Sequence, residues 1–143
     1  MIQRLPQIAP WRNEWGRPGD MAFIAIDTIT KKRLGAIWCR LFPEASDFVP
    51  GFCSSNIPNL GIAVDTYARH RGIGGSLLRS LKQAAYQQGY TALSLGVTAK
   101  NPARFLYERH GFKTQNVPAY PDPITMLVDL GAKADKSYKN SIC

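Results

Sequence analysis

Acidic residues are scarce in this chain. Its 143 residues hold 10 Asp and Glu against 18 Lys and Arg, a formal net charge of +8. That excess suits an anionic partner: nucleic acid, an anionic membrane surface or a polyanionic small molecule. The basic residues are spread along the sequence and not gathered in one run, which argues against a nucleic-acid tract. Cysteine is also rare. Cys39, Cys53 and Cys143 are scattered, lack metal-ligand spacing, and read as reduced thiols of a cytosolic protein. No apolar run approaches the roughly 18 residues of a membrane span. No charged segment followed by an apolar stretch opens the chain, so no signal peptide is expected and the expected location is cytoplasmic. Two phosphate-binding signatures are missing as well. There is no Gly-Lys-Ser/Thr, which excludes a Walker loop, and no third glycine completes Gly-x-Gly-x-x-Gly, which excludes the Rossmann fingerprint.

What is present centres on Leu60 to Ser76, LGIAVDTYARHRGIGGS. Leu60-Gly61-Ile62-Ala63-Val64 is a short apolar run and reads as a buried strand. A turn with Arg69, His70 and Arg71 follows, and Gly72-Ile73-Gly74-Gly75 opens a helix. Glycine lets backbone N–H groups come close to a ligand. A helix N-terminus carries free donors and the positive end of the dipole, so the stretch reads as a diphosphate cradle. The plainer alternative is a strand-to-helix turn that needs glycine for geometry alone.

Hydrophobic residues make up 45% of the chain, enough for a globular core, and the length fits one domain. Residues 1 to 20 are hard to assign, because Pro6, Pro10 and Pro18 interrupt any long helix. Trp11 and Trp15 are four apart, a spacing that one helical turn would place on one face. Met21 to Ile26 and Leu34 to Phe42 read as an antiparallel hairpin. Pro43 to Pro58 is a loop, long enough to be functional or to hold a short helix. After the glycine turn, Ile73, Leu77, Leu78, Leu81, Ala84 and Ala85 form one apolar stripe, and Gly89 sits where a C′ glycine ends a helix. Thr91 to Val97 is the next strand, expected to run parallel to the one before the crossover helix. Asn101 and Pro102 fit the N-cap and N1 positions of a second helix. It runs to about His110, where Gly111 stops it and Phe112 packs back. Lys113 to Gln115 and Thr125 to Leu130 read as a final strand pair. The tail from about residue 132, with Lys133, Lys136 and Lys139, reads as a solvated end.

Arg69-x-x-Gly72-x-Gly74 after a strand resembles the acyl-coenzyme-A signature of the GCN5-related N-acetyltransferases, the GNAT family. Asn101-Pro102-Ala103-Arg104-Phe105-Leu106-Tyr107-Glu108-Arg109-His110-Gly111-Phe112 resembles the Asn…Leu-Tyr-Glu-x-x-Gly-Phe block of the same family, in the same order. The resemblance covers about residues 57 to 115. It implies a mixed α/β (α+β) fold, mostly antiparallel, with a central parallel strand pair that splays apart and is flanked by helices. It implies acetyl-coenzyme A as cofactor, an amine-bearing acceptor as partner, no membrane, and leaves room for a homodimer. Carried over by position, the backbone of Ile62, Ala63 and Val64 would pair with the pantetheine arm. Arg69, His70, Arg71, Gly72, Ile73, Gly74 and Gly75 would hold the pyrophosphate. Asn101 would approach the cofactor, Arg104 a phosphate, and Tyr107 would be the general acid at the departing thiolate.

Thr66 stands where many relatives have proline, and His70 where many have glycine; neither removes a needed N–H. Asn59 departs further, since relatives often place a glutamate there as general base. Asparagine cannot take up a proton, which leaves Glu44, Asp47, Asp65 or a water chain as candidates. The expected activity is transfer of an acetyl group to a primary amine. A silent acyl-coenzyme-A-binding module and a basic nucleic-acid-associated protein are the competing readings.

Overall fold

The computed structural model describes residues 14–43, 49–115 and 122–131. Trp11, Glu44, Asp47 and the lysine-bearing tail lie outside those residues. The elements are β1 (Met21–Ile26), β2 (Arg33–Arg40), β3 (Asn59–Val64), α1 (Ile73–Gln87), β4 (Ala92–Val97), α2 (Ala103–Arg109), β5 (Lys113–Gln115) and β6 (Ile124–Asp129). A 3-10 turn, Thr66–Ala68, links β3 to the glycine turn. The strands form one six-stranded sheet in the order β1-β2-β3-β4-β6-β5. Among the described residues β3 and β4 are the one parallel pair, and the other neighbouring pairs are antiparallel. The mixed sheet with one central parallel pair is the expected architecture.

Local chemistry explains the joints. In the β1–β2 turn, Asp27 Oδ1 accepts from the N–H groups of Ile29 at 2.8 Å and Thr30 at 3.0 Å, an Asx-type turn that needs no glycine. Helix α1 ends in a Schellman motif: Tyr90 N–H donates to Ala85 O and Gly89 N–H to Tyr86 O, with Gly89 at φ +90° as the left-handed residue. Helix α2 ends the same way. Phe112 N–H donates to Tyr107 O and Gly111 N–H to Glu108 O, with Gly111 at φ +90°.

The core lies between the sheet and α1. Leu77, Leu78, Leu81 and Ala85 on α1 meet Met21, Ile37, Cys39, Leu60, Leu93 and Leu95. Leu78 and Leu81 are fully buried, and each contributes about 1.5–3 kcal/mol of apolar burial. Among the described residues no helix is long and apolar enough to cross a membrane.

Two expectations change. Trp15 lies in a turn over Glu14–Gly16 and not in a helix; Glu14 there has φ +53°, outside helical backbone. Cys39 is a buried free thiol, its pKa pushed up to about 12 by burial. Cys53, in contrast, is disulfide-bonded, which departs from three reduced thiols.

Candidate functional site

Strands β3 and β4 share one register pair, Asn59 with Ser94, although each runs six residues. Beyond that pair they part. β3 stays fully paired with β2 on its other side, so the β3 edge towards β4 has open backbone groups along Ile62, Ala63 and Val64. These are the residues expected to meet a pantetheine arm. Unpaired strand edges inside a sheet are free to take another extended chain.

The end of β3 leads into the glycine turn. His70 has φ +62° and Gly72, the N-cap of α1, has φ +78° and ψ 9°. No side chain caps the helix. The first N–H of α1 to find a backbone acceptor is that of Ser76, on Gly72 O at 3.1 Å. Among the described residues, the six N–H groups from His70 to Gly75 therefore have no acceptor. A left-handed residue before a helix turns consecutive N–H groups towards one concavity, a nest for an anion, and the helix dipole adds to it. Arg69, His70 and Arg71 are exposed around it. Arg71 also lies 3.8 Å from Asp27 across an exposed ion pair, a contact worth little at the surface.

The glycines of the turn do different jobs. A Cβ on Gly72 would meet nothing within 4 Å, so the space over it is open. A Cβ on Gly74 would meet Leu106 Cδ2 at 2.9 Å and lie 4.0 Å from Ile62 and Val64. A Cβ on Gly75 would meet His110 Nε2 at 3.1 Å. Gly74 and Gly75 thus let α2 lie against the first turn of α1, next to the open edge of β3. The two sequence blocks meet here. The contact of His110 with Gly75 is not foreseen by helical spacing, since it joins residues 35 positions apart on different helices.

In α2, Asn101 Oδ1 accepts from Ala103 N–H at 2.9 Å, so Asn101 does cap the helix start. Arg104 is tied to its own neighbourhood. Its Nη1 donates to Ala99 O at 3.1 Å, its Nε lies 3.9 Å from Glu108, and its guanidinium lies 5.4 Å over the Phe105 ring. Tyr107 is buried, and its ring meets Phe112 edge-on at 5.9 Å between centroids. That is the apolar contact across the Schellman turn. The Tyr107 hydroxyl makes no hydrogen bond to a described residue and is not itself fully buried, and burial of the side chain pushes its pKa up. A neutral phenol with a free O–H is a proton donor across the neutral range. His110 moves the other way: burial, then Lys82, Arg79 and Arg109, lower its pKa, so it is neutral there.

At the foot of the split, Asn59 is buried and donates its amide N–H groups to Pro50 O and Ser94 Oγ, each at 3.2 Å. Its Oδ1 has no partner. Asp65, a candidate base in the sequence, is exposed beyond the other end of β3. The closeness of the 49–51 loop is a feature sequence reasoning missed. A Cβ on Gly51 would fall 2.1–2.3 Å from backbone atoms of Leu95 and Gly96, so the loop crosses directly over β4. Gly51, in a polar loop, was the only available signal.

An anion nest beside a split parallel pair in a mixed sheet is what the resemblance to the GNAT family implies. A family model described as an acetyltransferase (GNAT) domain matches residues 18–114, and the chain belongs to that family. Solved structures share the fold. A GCN5-related N-acetyltransferase from Kribbella flavida is 21% identical at TM-score 0.65, over 86% of this chain and 75% of that one. The ribosomal-protein-S18-alanine N-acetyltransferase from Escherichia coli is 22% identical at TM-score 0.62, over 83% and 74%. The PaiA N-acetyltransferase from Thermoplasma acidophilum, solved in complex with coenzyme A, is 18% identical at TM-score 0.61, over 78% and 61%. None of the curated proteins matches this chain.

Proposed function

We propose that this protein is an acetyl-coenzyme-A-dependent N-acetyltransferase that acetylates a primary amine by direct attack on the thioester. The observation that carries the reading is the row of six unpartnered N–H groups, His70 to Gly75, at the mouth of the split. Those donors and the exposed Arg69 fit a pyrophosphate. The open β3 edge at Ile62, Ala63 and Val64 fits the amides of a pantetheine arm, and Asn101 keeps its side-chain N–H₂ free to donate. Bound acetyl-coenzyme A supplies the activated acyl group. Holding it beside the neutral amine would remove much of the entropic barrier, and backbone N–H groups of β3 would polarise the carbonyl. As the N–C bond forms and the C–S bond breaks, Tyr107 would give its proton to the departing sulfur and the proton lost by the amine nitrogen would pass to water. The relative from Thermoplasma acidophilum, solved with coenzyme A, supports the choice of cofactor.

Asn59 favours one competing reading, a binding module without turnover, because an asparagine at the foot of the split cannot take up a proton. Calorimetric titration with coenzyme A, followed by thiol release from acetyl-coenzyme A in the presence of amines, peptides and aminoglycosides, decides. The expected result is saturable binding and turnover with one amine class. Binding without turnover in any class leaves the module; no binding ends both.

A further inference from the structure

We propose that Asn59 is a positioning residue that sets the opening between β3 and β4. The inference rests on the acetyl-coenzyme-A reading above and concerns the same split. Its place is the first ground. Asn59 and Ser94 form the one register pair between the two strands, so they are the vertex from which the split opens. The second ground is connectivity. One amide group holds both walls and the loop that crosses them, donating to Ser94 Oγ on β4 and to Pro50 O on the loop. Pro50 O can only accept, so it also fixes which end of the amide faces it. Immediately beyond Ser94 the loop backbone lies against Leu95 and Gly96, where a Cβ on Gly51 or Gly96 would overlap main-chain atoms. The loop therefore touches β4 where the strands part, and the Asn59 bond sets how far it reaches.

The third ground is the unpaired oxygen. Asn59 Oδ1 is the buried side-chain polar atom left without a partner among the described residues. Such a group costs stability, and a small apolar side chain would avoid that cost. The arrangement makes sense if the two N–H donors are needed where they are. A glutamate at this position would accept from Ser94 but could not donate to the Pro50 carbonyl. In this chain the side chain at the vertex acts on the shape of the cofactor slot, through the strands and loop, and takes no part in proton transfer.

Three variants test this: Asn59→Asp, which keeps the size and the Ser94 bond but loses the donor to Pro50 O; Asn59→Ala, which loses both; and Ser94→Ala. Coenzyme A Kd is measured by calorimetry on protein shown folded by its melting curve, together with KM for acetyl-coenzyme A and kcat. Asn59→Asp and Asn59→Ala are expected to raise Kd about tenfold, or about 1.4 kcal/mol, and Ser94→Ala about threefold. KM should rise with Kd while kcat stays within about twofold. A role in stability alone lowers the melting temperature and leaves the Kd of folded protein unchanged. Folded Asn59→Asp and Ser94→Ala proteins that both bind within twofold of the unmodified protein overturn the proposal, and they decide the matter if Asn59→Ala does not fold. No coenzyme A binding by the unmodified protein overturns the acetyltransferase reading and this one with it.

Discussion

Tyr107 has two jobs that its two ends separate. The ring is core: it is buried and closes the Schellman turn against Phe112. The hydroxyl is idle in the fold, making no hydrogen bond to a described residue. Removing the hydroxyl alone should therefore leave stability almost untouched. Tyr107→Phe is expected to keep the melting temperature and coenzyme A affinity and to lower kcat about 10²-fold, the lower end of general acid catalysis. The effect stays moderate because a thiol, with a pKa near 8.5 if it resembles cysteine, leaves tolerably well as an anion. Full kcat in that variant, where chemistry limits the rate, removes Tyr107 from the mechanism. The motif makes this residue legible in sequence. What sequence could not separate was ring from hydroxyl, because helical spacing places a side chain on a face and says nothing of its last atom. Asn101 behaved likewise: the cap was foreseen, and its side-chain N–H₂ left over for a ligand follows only from seeing Oδ1 spent on Ala103.

At the scale of elements, the start of α1 and the loop across β4 make opposite demands on glycine. Gly72 is left-handed but faces open space. Gly72→Ala should cost about 1 kcal/mol of backbone strain, while Gly72→Asp adds a negative charge inside an anion site. The Asp variant should lose at least tenfold more coenzyme A affinity than the Ala variant. Equal affinities by calorimetry would mean that the anion sits elsewhere. Gly51 is left-handed as well, at φ +80°, but it lies against β4 backbone. Gly51→Ala has no flexible neighbour to move aside, so it should destabilise by more than about 2 kcal/mol, read as a fall in the urea midpoint. The difference between these glycines was invisible in sequence. The elements themselves were not. The boundaries of β1, α1 and β5 stand where the sequence reading put them, because a short apolar run, an apolar stripe and a C′ glycine all act locally. The course of the 49–58 loop depends on contacts with β4, some forty residues away, and no local rule carries that.

Across the whole molecule, one buried ion pair ties the chain ahead of β1 to the sheet. Arg40 on β2 meets Asp20 through two bonds, Nε to Oδ1 at 2.8 Å and Nη2 to Oδ2 at 2.7 Å, with both side chains about 1% exposed. Asp20 Oδ2 also accepts from the N–H groups of Gly16 and Arg17, and the Arg40 guanidinium lies 5.2 Å over the Trp15 ring. Nothing in the sequence announced this pair, since Asp20 falls in a stretch without periodicity and Arg40 sits in a strand that reads as apolar. Arg40 is also the cross-strand neighbour of Asn59, so the anchor of the chain's first described turn and the vertex of the split share one row of the sheet. The bond from Arg40 is the largest influence on Asp20 and holds its carboxyl below the ordinary range. A depressed folded pKa gives stability that is fully present above the unfolded value, near 3.9, and is lost as pH falls through the folded value. Asp20→Asn removes the carboxylate from two charge-assisted bonds to Arg40 and should cost about 1.5–3 kcal/mol at pH 7. The gap between the unmodified protein and the variant, measured by urea unfolding, should hold from pH 7 down to about 4 and then narrow. A gap that stays constant down to pH 2 would show that protonation of Asp20 is not what weakens the fold in acid.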